Sequence, residues 1–315
     1  MAYPVIKAAA YVLVHAPSIM MEHGTTLTME KEINPNSDYL KKIDSHVRRF
    51  EEAARYAPNQ VYIGNLSPAE LREKARPWYE NLVDLPAQGP LGEILPEPQF
   101  YGLIKMADSF NLVELSEDFV PRIQQALMEK DLFNPRQLAV LKNGRPLNEI
   151  QAFIDKGTAE GLYIGQQLVG CVRQAHESDP NLSAHVIFEN LVAKASGILA
   201  LQHLIRQNQL DPACIDYIIE TSEEAIGDMN QRGGGNMAKA IGEVCEIVNA
   251  SGIDMRGFCA APAHGLVSAA ALVQSGIFEN VVVLAGGSSA KLGMNSRDHV
   301  AKNIPVLEDM LGAYA

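Results

Sequence analysis

Met255-Arg256-Gly257-Phe258-Cys259-Ala260-Ala261-Pro262-Ala263-His264-Gly265 is the stretch on which the fold reading turns. A strand over residues 254–258 ends, the chain turns, and a run of small residues from 262 to 275 opens a helix that Gly276 stops. Pro262 suits the first helical turn, where a missing N–H costs no intrahelical bond. A thiol at such a turn faces the open end of a parallel sheet, where α/β proteins gather their ligands. The free N–H groups and positive end of the helix favour a thiolate there. Gly257, Ala260 and Ala261 leave room for a substrate beside the sulfur. The same residues also suit an inert cysteine packed like alanine, and the local sequence leaves both readings open.

Outward from this turn the pattern is a regular alternation. Residues 281–285 (VVVLA) are apolar throughout, as in a parallel strand buried on both faces. Ile187, Leu191, Ala195, Ile198, Leu201 and Ile205 fall near helical spacing and predict an amphipathic helix to about Asn208. Tyr217-Ile218-Ile219 reads as a short strand. Arg232-Gly233-Gly234-Gly235-Asn236 opens a further helix, from Met237 to about Ala250, with Gly252 as its cap. Alternating strands and helices imply right-handed crossovers and a covered sheet. Near the start, residues 8–14 (AAAYVLV) are too short for a signal peptide and read as a buried strand. A strand over 6–14 joins the same sheet if the segment after it loops out.

That intervening segment has another texture, rich in proline, charge and aromatics. Residues 36–56 read as a charged helix stopped by Pro58. Ser67-Pro68-Ala69-Glu70 is a capping box whose helix should run toward Tyr79. Residues 116–130 look helical, and Asn143-Gly144 marks a turn. The expected division is therefore a first strand at 1–15, an insertion at 16–180, and the remaining sheet at 181–315.

Composition narrows the classes. Hydrophobic residues make up 47% and charged residues 20% of 315, which is globular. The net charge of −12, from 26 Lys+Arg against 38 Asp+Glu, opposes nonspecific nucleic-acid or anionic-membrane binding. No stretch approaches the ~20 apolar residues of a membrane span. The expectation is a cytoplasmic protein with no nucleic-acid and no membrane partner. Cys171, Cys214, Cys245 and Cys259 include no CxxC pair, so no metal site is expected and reduced thiols are.

The run from Cys259 to His264 resembles the nucleophile elbow of thiolases and ketoacyl synthases. The small-residue helix, Gly276, the strand at 280–284 and Ala285-Gly286-Gly287 come after it in that family's order. The resemblance implies an α/β fold: one thiolase-like half, with a mixed, mostly parallel five-stranded sheet covered by helices and a large α-rich insertion after the first strand. It also implies pairing of two copies across residues 254–258. Thiolase-like proteins have two similar halves, and the chain carries the pattern of the N-terminal one. The catalytic base comes from the other half, so turnover by these residues alone is not expected.

Over nearly its whole length the chain resembles a narrower family, the component C beta subunits of glycine/sarcosine/betaine reductase complexes. Tyr3-Pro4-Val5-Ile6-Lys7-Ala8-Ala9-Ala10-Tyr11-Val12-Leu13-Val14-His15, Asn59-Gln60-Val61-Tyr62-Ile63-Gly64 and the loop from Gly227-Asp228 to Gln231-Arg232-Gly233-Gly234-Gly235-Asn236 carry the likeness. It implies a subunit that helps convert a selenoprotein-bound carboxymethyl group to acetyl phosphate, with Cys259 holding an acetyl thioester or taking selenium from the selenoether. The implied partners are the component C alpha subunit, the selenoprotein, phosphate or acetyl phosphate, and a second copy. No cofactor is implied.

The competing readings are a thiolase- or ketoacyl-synthase-like acyltransferase using coenzyme A or carrier-protein thioesters, and a non-catalytic structural subunit. His264 is expected to pack or bond backbone rather than activate the thiol, since five residues on a helix separate the two directions. Arg232, Gly233, Gly234, Gly235 and Asn236 are candidates for an anion cradle at a helix start. Glu220, Glu223, Glu224 and Asp228 read as a solvated acidic strip, and the other three cysteines as buried thiols.

Overall fold

The structure is a computed structural model that describes residues 3–223, 228, 231–232 and 235–315. The chain divides into two compact units. One comprises Tyr11–Glu97 and Ser288–Gly312; the other comprises Met1–Ala10, Pro98–Gly287 and Ala313–Ala315. The expected insertion boundaries at 16 and 180 do not coincide with this division. Residues 16–97 contribute strands to one unit, and 98–180 pack into the other.

The smaller unit is built on β1 (Tyr11–His15), β2 (Gln88–Gly89) and β3 (Gly92–Pro96). β1 and β3 are parallel, with Leu13 opposite Ile94, and β2 pairs antiparallel with β3. The C-terminal strand, of which Met310–Gly312 fall in this unit, lies on the other side of β1. The first strand is shorter than expected: Val5 and Ile6 are exposed, and the strand begins only at Tyr11. The charged helix expected over 36–56 is interrupted, forming Asp38–Ile43 and Phe50–Ala54 with extended backbone at Val47 and Arg49. The break has a local cause: Arg48 turns inward, where it is 5% exposed and paired with the fully buried Asp309. The capping box at Ser67 and Glu70 is present, with Ser67 accepting from the Glu70 N–H. Its helix, however, ends at Arg72, well short of Tyr79.

The larger unit contains β4 (Val113–Leu115), β5 (Ala159–Ile164), β6 (Gln167–Arg173), β7 (Tyr217–Glu220), β8 (Ser251–Asp254) and β9 (Val281–Leu284). β4, β6 and β5 form an antiparallel sheet in that order. β8, β7 and β9 form a parallel one, with Ile219 facing Ile253 on one side and Val283 on the other. An isolated antiparallel bridge joins Ala285 to Tyr314. The architecture is thus mixed α/β, but its strands fall into three sheets instead of the expected five-stranded one, because segment 88–96 supplies β1 with its parallel neighbour.

The long helix Ala184–Gln207 is buried on every side, not along one stripe as expected of an amphipathic helix. Against the expectation that no stretch approaches a membrane span, it is the one helix among the described residues long and apolar enough to cross a membrane, yet 83% of its apolar window is buried inside the protein, as in a core helix. The helix Met237–Val244 stops earlier than expected, where Glu246 takes a positive φ. Gly252 is no cap; it lies in β8, where a Cβ would come within 2.6 Å of the Ile218 carbonyl oxygen. The helix over 116–130 is confined to Val120–Met128. Gly144 permits close backbone packing, since a Cβ there would meet the Glu117 backbone at 2.2 Å.

The burial pattern has consequences that can be measured at Glu97 and Gly286. Glu97 is fully buried, and burial pushes its carboxyl from 4.5 to about 7 despite hydrogen bonds from Ser18 and the Ile19 N–H. The native state therefore keeps this proton where the unfolded chain loses it. The contribution of Glu97 to stability is full below about pH 4.5 and is lost as pH rises through about 7. Thermal unfolding should show that decline in the native sequence and a flatter profile in Glu97→Gln; an unchanged slope would assign it to another group. At Gly286 a Cβ would sit 1.9 Å from the Ala193 carbonyl oxygen on the long core helix. Gly286→Ala should therefore lower stability by about 1–3 kcal/mol, read as a lower urea midpoint.

Candidate active-site thiol

The parallel sheet presents the C-terminal ends of β7 and β8 side by side. β8 ends at Asp254, where the expected strand was to begin, because Met255 onward bends away after its N–H donates to the Glu220 carbonyl oxygen at 2.7 Å. The turn beyond it places Phe258 at φ 51, a left-handed conformation that is unusual for a bulky residue. Such a conformation costs on the order of 1–3 kcal/mol and tends to occur where function demands it. Residues Phe258–Ala260 form one 3-10 turn, and the helix Ala261–Gln274 continues from it. Cys259 therefore stands at the helix start, as the sequence suggests, and it is exposed.

The thiol donates a hydrogen bond to Glu223 Oε1 at 3.5 Å. Glu223 lies just after β7, so two adjacent strand ends bring a nucleophile type and a proton acceptor together. By sequence Glu223 reads only as part of an acidic strip; no local spacing links it to Cys259, 36 residues away. Ala260, next in the chain, is exposed, while Ala261 is buried. His264 is exposed on the helix surface, and among the described residues no hydrogen bond joins it to Cys259. Gly265, one residue on, lets the helix lie against the sheet, since a Cβ there would approach Val283 and Thr221 within 3 Å.

Two other members of the acidic strip, Glu220 and Asp228, are not solvated. Glu220 is wholly buried and paired with Arg256 at 2.8 Å. Burial raises its carboxyl above the usual range, with the Arg256 guanidinium opposing that rise. Asp228 is also wholly buried; Glu224 lies outside the described residues. No cluster of metal-ligating side chains occurs among the described residues.

The glycine-rich loop has a structural occupation of its own. Asp254 accepts from the Met237 and Ala238 N–H groups at 2.8 and 2.9 Å, and Asn236 caps the same helix by accepting from Lys239 N–H. Arg232 is buried and faces Asp254 at 3.8 Å. The helix start expected to cradle an anion is thus already filled by the protein's own carboxylate. Gly235 takes a φ of 95, which explains glycine at that position; Gly233 and Gly234 lie outside the described residues. Gln231 ties the loop to Asp108 and Ser109, and Lys194 donates to Ser109 at 2.8 Å. Burial lowers the Lys194 ammonium to about 8, against the pull of Asp108 and Asp228.

The chain is 50% identical, across 319 aligned residues and its entire length, to a Peptoclostridium acidaminophilum protein named glycine/sarcosine/betaine reductase complex component C subunit beta. It is a homologue of that subunit. The chain spans 62% of that relative's length. No protein-family model matches it. Among solved structures, the priming β-ketosynthase of the R1128 polyketide pathway is similar over 38% of this chain and 34% of its own, at 22% identity and a TM-score of 0.30. OleA of Xanthomonas campestris is similar over 39% of this chain and 38% of its own, at 13% identity and a TM-score of 0.29.

The cysteines divide by exposure. Cys171 and Cys245 are buried as expected, whereas Cys214 is exposed, because it sits in the short 3-10 turn Pro212–Cys214 ahead of β7. Burial pushes the Cys171 thiol up to about 12 and raises that of Cys245 as well. Brief treatment of the native protein with iodoacetamide should label Cys259 and Cys214 and spare the other two. Peptide mass spectrometry reads this directly, and labelling of Cys245 as fast as Cys259 would contradict it.

Proposed function

We propose that Cys259 carries an acetyl thioester in a subunit of a glycine/sarcosine/betaine reductase-type complex, which converts a selenoprotein-bound carboxymethyl group to acetyl phosphate. The observation that carries this reading is the exposed thiol at a strand-to-helix turn beside Glu223, in a chain half identical to a subunit so named. The parallel order β8-β7-β9 with the thiol just after β8 supports a thiolase-like half as its fold.

In the closing step a phosphate oxygen adds to the thioester carbonyl. The C–O bond forms, the C–S bond breaks, and the electron pair returns to the Cys259 sulfur as acetyl phosphate leaves. In the reverse direction Glu223 takes the thiol proton while the sulfur attacks the acetyl carbonyl and expels phosphate. The N–H groups at the start of the helix Ala261–Gln274 supply the electrostatic support for the tetrahedral oxyanion. The complex brings the component C alpha subunit and the selenoprotein as partners. A second copy pairs along β8, which is an edge strand with Ile253 exposed. The setting is cytoplasmic, in keeping with free thiols.

A structural subunit without chemistry is the second reading, and one observation favours it: the hydrogen-bond partner of the thiol is a carboxylate, not an imidazole. The two readings part on one experiment. The chain, together with its alpha-subunit partner, is incubated with isotopically labelled acetyl phosphate and analysed by peptide mass spectrometry. A hydroxylamine-labile acetyl group on Cys259, absent in Cys259→Ala and slowed in Glu223→Gln, is the expected result. Label confined to the partner would overturn the carrier role and leave the structural one. Equal labelling from acetyl-CoA would instead indicate an acyltransferase that uses coenzyme A thioesters.

A further inference from the structure

We propose that the unit formed by Tyr11–Glu97 and Ser288–Gly312 holds a separate binding site, a pocket beside Arg48 that takes a small organic carboxylate. The pocket encloses about 320 Å³ and is lined by Arg48, Tyr56, Tyr79, Asn303 and an apolar wall that includes Leu82 and Ile304. That volume is near the lower end for small-molecule sites. It lies close to the C-terminal end of β1, which runs parallel to β3: His15, the last residue of β1, meets Asp309 at 3.3 Å, and Asp309 in turn holds Arg48. Ends of parallel strands are where α/β units place ligands.

The unsatisfied chemistry is at Arg48. Its Nε donates to Asp309 Oδ2 at 3.0 Å, and its Nη2 donates to Asp309 Oδ1 and to the Leu307 carbonyl oxygen. Nη1 is buried with no hydrogen-bond partner. A buried donor left in that state costs about 1–3 kcal/mol, so an acceptor from outside the chain is favoured. The Tyr56 ring lies 5.0 Å from the guanidinium carbon and covers its face, which leaves the guanidinium edge for an incoming ligand. Among the described residues neither the Tyr56 nor the Tyr79 hydroxyl has a hydrogen-bond partner, and both are donors. Burial raises the Tyr56 phenol, which keeps it protonated.

Glu52, the one carboxylate on the lining, is answered by Arg49 at 3.0 Å and does not repel an anion unopposed. Donors on one side and aliphatic carbon on the other fit a carboxylate with a short apolar tail better than inorganic phosphate, which would leave the apolar wall bare. Because Asp309 already balances most of the Arg48 charge, affinity should be modest, with a Kd on the order of 1 mM.

The test uses the full chain and butyrate, read by saturation-transfer NMR, with butyramide and inorganic phosphate as comparison probes. Butyrate should receive saturation, butyramide should not, and phosphate should fail to displace butyrate. Leu82→Trp fills the pocket without touching the Arg48–Asp309 pair and should abolish the signal. Arg48→Lys should weaken binding at least about tenfold; if that variant does not fold, Leu82→Trp still decides. No transfer to butyrate at about 10 mM would mean that water satisfies Arg48 and would overturn the proposal. A signal that survives Leu82→Trp, or equal displacement by phosphate, would overturn it as well.

Discussion

The Asp254 carboxylate is the point at which three parts of the larger unit are held together. It receives two N–H groups from the start of the helix Met237–Val244 and faces the guanidinium groups of Arg232 and Arg256. Arg256 in turn neutralises Glu220, a carboxylate with no solvent contact at the end of β7. A buried charge without such a partner would cost several kcal/mol, so strand ends, loop and helix start are fixed as one arrangement. Cys259 is three residues beyond Arg256, and its position beside Glu223 depends on that arrangement.

Around this polar node the packing is set by residues with no side chain to spare. Gly286 lies against the backbone of Ala193, with its own N–H donating to Ser222 at 2.6 Å, and Gly287 donates to Ser196 at 2.9 Å. Gly265 brings the Cys259 helix down onto β7 and β9. The outer surface of that helix stays open, with Leu266 and Val267 exposed and Phe258 82% exposed beside the thiol. An exposed apolar surface of this kind is a feature that interaction sites share.

The smaller unit obeys a different logic. Its strands bring His15, Glu97 and Asp309 into the interior, and Arg48 is drawn in to meet them. Burial alone would raise the Asp309 carboxyl, yet Arg48 and His15 together hold it below its usual range. The inward turn of one arginine breaks what would otherwise be a continuous charged helix and leaves its Nη1 buried without a hydrogen-bond partner. The capping box at Ser67 and Glu70, with Pro68 behind it, marked one helix start here, whereas Pro58, read as a stop, opens the helix Ala57–Tyr62; such signals act within one turn of chain. They gave no sign of the parallel pairing of β1 with β3, which joins Leu13 to Ile94 across a long stretch of chain.

Much of the local structure around the candidate thiol could be read from neighbouring residues. The elbow at Cys259, the helix after it, the stop at Gly276, the strand at β9 and the short strand at β7 all come from turn residues, small-residue runs and apolar periodicity, which are properties of neighbours in sequence. Tertiary structure alone decided that Glu220 and Asp228 are buried, that Glu223 reaches the thiol, that Asp254 fills the helix start expected to bind an anion, and that Cys214 is exposed. These outcomes depend on which strand ends lie side by side and on which charges can neutralise one another once water is excluded, and no local pattern encodes that pairing.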